Sequence, residues 1–431
     1  MSIIAYLFVP FVVLIMCSCP IAISQGLASL FLIGKFDVIS IESFTKSITM
    51  GLNSFTLVAV PLFTFAGDIM GKGGISKRLL NCAKIFFGNM TGGLGIVSIV
   101  ACMFFAAISG TGSATVAAIG LIMIPMMVEE GYDRDYGASL VATAGTIGVI
   151  IPPSVCMVVY AVAANASVTA LFTAGFPVGF MVGGALCIYA VVSSRKKGYT
   201  IKNPVKYDMK SAVRIFVDAI PSISIPVIVL GGIYGGVCTP TEAAAVACIL
   251  GIILSVFVYK EVALKELPYL GFRAITLCAP VVFIIGMSSG FGRILSISQM
   301  PTMIANAILG ISTNKIVLLL LINMLLLIVG TFMETNASII ILVPILLPIV
   351  TALGVSPVHF GIIMVLNLSI GFITPPLGAN LFMASEISGV KYDVLARSIW
   401  PWIAVMVAVL MVITFVPQIS LFLPQMLNLS V

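Results

Sequence analysis

With 431 residues, of which 61% are hydrophobic and only 8% charged, the chain has too little charge to hydrate a soluble surface, where roughly 25% of residues are charged. Its mean hydropathy of +1.24 and its recurrent apolar runs, measured against the ~20 residues that cross a bilayer, imply an all-α integral membrane protein. The formal net charge of +6 sits in short segments between those runs, which is the distribution of membrane topology signals and excludes a nucleic-acid footprint.

The first 19 residues contain no Lys or Arg, so the basic region of a signal peptide is missing. Leu14, Ile15 and Met16 are bulky where a lipoprotein signal before Cys17 wants small residues. This segment is read as a retained first helix. A basic cluster follows at Lys72, Lys77, Arg78 and Lys84 and belongs in the cytoplasm by the positive-inside rule. Next comes an apolar arm over 93–108, a small-residue tip over 109–115 and a returning arm over 116–128. A loop with Glu129, Glu130, Asp133, Arg134 and Asp135 leads to an apolar stretch interrupted at Ile151, Pro152, Pro153 and Ser154. Spans near 137–164 and 168–193 reach a second basic cluster, Arg195, Lys196, Lys197, Lys202, Lys206 and Lys210, again cytoplasmic. Spans near 214–235, 237–258 and 268–288 follow. A second pair of short arms, 316–329 and 339–350, then flanks a tip at 330–338, and a second interruption falls at Thr374, Pro375 and Pro376. Trp400 and Trp402 read as interfacial anchors, and His359 as an incidental residue of an outer loop. The nine cysteines form no CxxC or Cys/His cluster and read as small packing residues.

Sliding the chain by 223 positions aligns Pro125 with Pro348 and Gly131 with Gly354, and it places Gly148, Ile150, Pro152 and Pro153 on Gly371, Ile373, Pro375 and Pro376. Ala114 and Thr115 fall on Ala337 and Ser338. The pattern predicts an internal duplication. Each arm is short for a full span, which favours re-entrant hairpins. Counting crossings from the basic loops puts the first hairpin on the cytoplasmic side and the second on the outer side, so the repeats are inverted. From 316 to 385 the only charge is Glu334.

Unpaired backbone in hydrocarbon costs several kcal/mol per group, so broken helices survive where they line a polar cavity. A proline pair frees carbonyls one turn earlier, and half-helix ends aim their dipoles at the midplane. Equivalent breaks in two inverted halves point to a transporter's binding site. The competing reading is that single prolines are kinks and small-residue runs serve close helix packing; the repeated double proline favours a site. Asp68 is placed at a span's end, Asp218 and Glu242 near loops, and Arg293 by a glycine-rich turn, which leaves Glu334 as the one titratable group at a tip. Carbonyl and hydroxyl oxygens suit sodium without protonation, and proton coupling through Glu334 remains the alternative. A membrane-embedded enzyme would need a nucleophile–base or metal constellation, which the sequence does not offer. A channel is a further alternative, separable by saturable uptake.

The run Pro357 to Ile363, then Asn367, then Ile373 to Phe382, resembles the large membrane subunit of tripartite ATP-independent periplasmic (TRAP) transporters. So do the stretches Thr239 to Ala245 and Phe104 to Gly110, and the likeness runs from about Pro20 to the C-terminus. The resemblance implies the elevator fold of the ion-transporter superfamily, with a scaffold domain and a mobile transport domain. It implies scaffold helices over 1–89, a first transport repeat over 90–165, connecting helices over 166–311 with the basic loop at 194–211, a second transport repeat over 312–388 and a C-terminal helix over 389–431. It further implies sodium-coupled symport across a bacterial inner membrane, with no cofactor beyond Na+ as coupling ion. A small four-helix membrane subunit and a periplasmic substrate-binding protein would be the partners. The family's first sodium site maps to Ser109, Gly112, Gly148, Ile151 and Pro153, with Thr111 standing where relatives often carry serine. The second maps to Gly330, Thr335, Gly371, Thr374 and Pro376. The implied substrates are organic acids such as dicarboxylates, sialic acid or other sugar acids, with Ser113, Thr115, Asn336, Ser338 and Asn380 as the polar groups to meet a carboxylate. The alternative is a stand-alone sodium- or proton-coupled carboxylate symporter of the same superfamily.

Overall fold

In hydrocarbon every peptide group must bond within its own segment, so apolar runs of this length become helices. The structure, a computed structural model, describes residues 3–17, 19–199, 208–299, 303 and 314–430, and the regular elements among them are all helical. Lys202 and Lys206 of the basic loop, and the expected start of the second transport repeat at 312, lie outside the described residues. By length and composition, eight described helices can cross a membrane, or nine if the bent pair near the C-terminus counts as one span.

Helices α1 (Ile3–Met16), α2 (Ile21–Phe36) and α3 (Ile41–Leu52) are followed by α4 (Ala59–Lys72) and α5 (Ile75–Phe87). The first hairpin is α6 (Gly93–Ser109) and α7 (Gly112–Glu129), and its broken helix is α8 (Arg134–Gly145), a 3₁₀ turn (Thr146–Val149), and α9 (Val155–Ala164). Four connecting helices come next: α10 (Val168–Lys197), α11 (Met209–Tyr234), α12 (Pro240–Ile252) and α13 (Leu267–Ile297). The second hairpin is α14 (Lys315–Phe332) and α15 (Thr335–Ala352), and its broken helix is α16 (Pro357–Gly371) and α17 (Ala379–Ser388). The chain ends in α18 (Tyr392–Ser398), α19 (Trp400–Phe415) and α20 (Gln418–Met426).

Local chemistry sets these boundaries. Ser154, directly after the proline pair, caps α9 by accepting from the Met157 N–H at 3.4 Å, and Ser356 caps α16 by accepting from Val358 N–H at 3.2 Å. Thr239 and Glu242 close a reciprocal capping box at the start of α12, which satisfies N–H groups that have no intrahelical partner. Both tips are tighter than the sequence pattern predicts. Only Gly110 and Thr111 separate α6 from α7, and only Met333 and Glu334 separate α14 from α15, because the small residues on either side extend the helices.

Each hairpin packs on its own broken helix, α7 on α8 and α14 on α16. The repeats also interlock, since α15 lies against α9 and α17 against α7 and α8. The Tyr160 hydroxyl donates to the Pro357 carbonyl at 2.7 Å, tying the end of one broken helix to the start of the other. On the opposite side α4 packs on α12 and α13 while also touching α6, α7 and α9. A separate core joins α1, α2, α3 and the end of α13 through Leu7, Phe11, Leu32, Phe44 and Phe291. Lys72–Glu266 and Arg78–Glu261, both at 2.9 Å, gather charge where α4 and α5 meet the segment between α12 and α13, with Arg78 also over the Tyr259 ring at 3.6 Å.

Several expectations change. His359 is buried in α16 rather than in a loop; its Nδ1 lies 2.7 Å from the Ser420 hydroxyl, because a polar ring in an apolar layer needs a partner. Trp402 is only 2% exposed and packs on Tyr136 and Tyr189, so only Trp400 keeps the exposure of an interfacial anchor. Arg293 lies inside α13. Asn367 donates to Asn323 Oδ1 at 2.7 Å, and Asn323 donates to Thr414 Oγ1 at 3.1 Å; this buried chain fixes the second hairpin to its broken helix and to α19.

Candidate functional site

At each tip and each break, the end of one helix faces the start of another within a few residues, so unpaired carbonyls and unpaired N–H groups share one small volume. At the first tip, Gly110 takes φ +64 and a Cβ there would sit 2.8 Å from the Pro153 carbonyl oxygen, so a side chain would be both strained and obstructed. The Gly110 carbonyl accepts from the Val155 N–H at 3.3 Å, which joins the tip directly to the far side of the break. Ser109 Oγ lies 3.1 Å from Thr115 Oγ1, and Thr115 Oγ1 donates to the Thr111 carbonyl at 2.8 Å. Gly148 packs against Thr111 and Thr115, and Gly112 against Gly145 and Asn380. Ile151 and Pro153 occupy the unwound segment, where the Pro152–Pro153 bond is cis, and the Ser154 hydroxyl donates to the Val149 carbonyl at 2.7 Å. Ser109, Gly112, Gly148 and Pro153 are therefore linked by contacts around one spot, with Ile151 two residues away along the chain.

The second repeat is built differently. Gly371, the last residue of α16, lies on the Gly330 backbone. The Thr374 hydroxyl donates back to the Ile370 carbonyl at 2.7 Å, and Pro376 closes the second cis pair. Thr335 begins α15 with a buried hydroxyl that has no partner. Glu334 caps α15: its Oε2 accepts from the Ala337 N–H at 3.1 Å and its Oε1 from the Asn336 amide at 2.8 Å.

A cavity of about 300 Å³ lies against both tips. Ser109, Thr111 and Ser113 line it from the first tip, Asn336 from the second, and Asp68 and Arg273 from α4 and α13. Of the polar groups expected to meet a carboxylate, Ser113 and Asn336 face this space, and Asn336 Oδ1 is unpartnered. Thr115 serves the tip hydrogen bonds above. Ser338 Oγ donates to the Glu334 carbonyl at 3.0 Å, and the Asn380 amide reaches across the repeats to the Ala142 carbonyl at 3.2 Å. Asp68 and Arg273 were not among the expected site residues. Asp68 lies near the end of α4 and of its span, as expected, with its neighbour Gly67 pressed on Ser109. The available signal was one carboxylate and one arginine, each inside an apolar helix, where ionisable groups mark functional positions.

Duplicated hairpins and duplicated broken helices that enclose a charged, hydroxyl-lined cavity define a polytopic membrane permease in form. The comparisons place it further: the chain belongs to the family described as tripartite ATP-independent periplasmic transporter, DctM component, whose model matches residues 8–419. It is 47% identical over 417 residues to the isethionate TRAP transporter permease protein DctMQ of Oleidesulfovibrio alaskensis, covering 96% of this chain and 65% of that protein's length. It is 39% identical over 409 residues to the C4-dicarboxylate TRAP transporter large permease protein DctM of Pseudomonas aeruginosa, covering 94% of this chain and 95% of that one. With the sialic acid TRAP transporter large permease protein SiaM of Vibrio cholerae it shares 37% identity over 377 residues, 87% of this chain and 88% of that one. A crystal structure of the YdaH transporter of Alcanivorax borkumensis shares the fold, with a TM-score of 0.65 at 15% identity over 87% of each chain.

Proposed function

We propose that this permease imports a small organic acid anion across a bacterial inner membrane, driven by sodium, as one part of a three-component transporter. The observation that carries the reading is the cavity against both tips, with hydroxyls and an amide from the two repeats on one wall and scaffold charges on the other. Sodium is taken by neutral oxygens: Ser109, Gly112, Gly148, Ile151 and Pro153 in the first repeat, and Gly330, Thr335, Gly371, Thr374 and Pro376 in the second. Glu334 is already engaged as a helix cap, which supports sodium over a proton carried by that carboxylate. The interlocked hairpins and broken helices move as one body past the scaffold, in an elevator cycle. The scaffold is completed by a small four-helix membrane subunit, and a periplasmic binding protein delivers the substrate. The names of the relatives span a two-carbon sulfonate, four-carbon dicarboxylates and sialic acid, and the hydroxyl, amide and guanidinium lining suits the anionic group that these share.

The test is uptake into proteoliposomes holding this chain and its small membrane partner. Labelled isethionate, succinate and sialic acid are presented with binding proteins, with and without an inward sodium gradient. Uptake that requires both sodium and a binding protein is the expected result, and Glu334→Gln, which can still cap α15, retains it. Uptake driven equally by a proton gradient in sodium-free buffer, and abolished by Glu334→Gln, would overturn sodium coupling.

A further inference from the structure

Two ionisable side chains inside apolar helices face the cavity from the scaffold side, paired in charge but not hydrogen-bonded to each other. Asp68 of α4 and Arg273 of α13 approach to 3.7 Å through the arginine Nε, with side-chain exposures of 13% and 56%. That separation supports an ion pair but exceeds a hydrogen bond. Asp68 Oδ2 has no hydrogen-bond donor, and none of the hydrogen bonds among the described residues comes from the Arg273 guanidinium. The charged pairs one to two turns away behave otherwise, since Lys72–Glu266 and Arg78–Glu261 are closed at 2.9 Å. Arg273 thus keeps a planar fork of donors unused, at the rim of a cavity whose remaining polar lining is hydroxyl and amide.

We infer that Arg273 is the station for the substrate's anionic head group on the scaffold side of the cavity, and that Asp68 is the internal anion that holds it when the cavity is empty. The inference rests on the permease reading above and deepens it by naming the charge that the substrate meets. The terminal nitrogens of Arg273 match a carboxylate or sulfonate through two parallel hydrogen bonds, while Ser113 and Asn336 meet the polar remainder of a short molecule. Arg273 lies seven residues beyond Glu266, about 10 Å along the helix at 1.5 Å per residue, so this station is on the half of the membrane nearest the charged end of α4 and α13. By the positive-inside rule that end is cytoplasmic, which makes the station a release-side one. Asp68 then competes with the bound anion for one guanidinium and speeds its departure, and it spares the empty cavity an unpaired cation in an apolar setting.

The two partners of this pair have opposite expected effects, and that separates the inference from a structural ion pair. The measurement is isothermal titration of the purified two-subunit membrane complex, in sodium buffer, with 2-hydroxyethanesulfonate and with succinate. Arg273→Ala is expected to weaken binding of the preferred anion at least tenfold while sodium half-saturation moves less than twofold, with Arg273→Lys intermediate. Asp68→Asn is expected to tighten the anion severalfold and to slow its release in uptake assays. If both variants weaken binding alike, or if Arg273→Ala binds as wild type does, the inference is overturned. Should Arg273→Ala fail to assemble, the sign of the Asp68→Asn effect still decides. Wild-type complex that binds neither probe would instead overturn the small-anion reading on which the inference stands.

Discussion

Gly371→Ala offers the sharpest test of how the second tip and its break are held together. An added Cβ at Gly371 would fall on the main-chain atoms of Gly330, with the Gly330 Cα 2.7 Å away, whereas ordinary contact begins at 3.4 Å. The Gly330 carbonyl carbon and oxygen lie closer still, and main chain cannot rotate aside as a flexible side chain can, so α14 and α16 must part by more than an ångström. Overpacking of this kind costs about 1–3 kcal/mol. The displacement opens the space between tip and break, so on the proposed reading the strain falls on the sodium-loaded arrangement; a coupling of 1–3 kcal/mol corresponds to roughly a 5- to 150-fold loss of affinity. The control is Gly330→Ala in the same contact. Its Cβ would meet Leu368 Cα at 3.2 Å, a shortfall of a few tenths of an ångström, and its effect is expected to stay under about 1 kcal/mol. Sodium titrations of uptake, together with melting of the purified complex, read both variants. Equal sodium half-saturation in wild type and Gly371→Ala would refute the reasoning, because it would mean that the helices part without disturbing any ion.

In the first tip, Ser109→Ala removes a buried hydroxyl that lies 3.1 Å from Thr115 Oγ1. Loss of one buried hydrogen-bonding group, about 1 kcal/mol, is expected to raise the half-saturating sodium concentration severalfold; an unchanged value in uptake assays removes Ser109 from the ligand set. At the charged end, Asp133 accepts from the Tyr199 hydroxyl at 2.6 Å and from Lys197 at 3.0 Å, and these bonds hold its carboxyl below the ordinary carboxylate range. A depressed carboxylate stabilises the fold above its unfolded-state pKa and loses that contribution as pH falls through its folded-state pKa. Tyr199→Phe is therefore expected to lower the melting temperature slightly at pH 7, by less than about 1 kcal/mol for so exposed a group. The difference should shrink below about pH 4, and a difference independent of pH would place the effect in ring packing instead.

Much of this fold was legible because its determinants are local. The hairpin arms, the two breaks and their repetition follow from apolar run length and from two Pro-Pro pairs, since proline removes a donor wherever it sits. Tip lengths were overestimated because Gly112, Ser113, Thr335 and Asn336 are polar or small, and such residues look like loop in sequence although the first turn of a helix welcomes them. The roles of Asp68, Arg273 and His359 were not legible for a different reason. Each depends on a partner far along the chain: Asp68 on a residue of α13, His359 on Ser420 of α20. A helical face is not visible in a run that is apolar all round, so position along the sequence could not say which side of α4 or α16 would be covered. The same blindness misplaced Trp402, whose neighbour Trp400 is exposed while it is buried.

The two tips are related by duplication, yet they are not chemically equivalent, and the difference bears on coupling. From 93 to 128 the first hairpin carries no charge, and from 316 to 385 the second carries one, Glu334. A hairpin and break that move through an apolar layer with a single uncompensated carboxylate would face the cost of an unpaired ion in low dielectric. The cap hydrogen bonds from Ala337 and Asn336 spread that charge over the start of α15, where the helix dipole favours it, but they do not cancel it. A cation bound beside the second tip would. On the proposed reading, and counting only the two tips and the cavity between them, one sodium ion at each tip and one monoanion sum to zero with Glu334, whereas the anion alone with Glu334 sums to minus two. The movement is then cheapest when all ligands are present, so the fixed charge at one tip reinforces a sodium requirement that the neutral oxygens of both tips already set, and Glu334→Gln weakens that reinforcement without removing the sites.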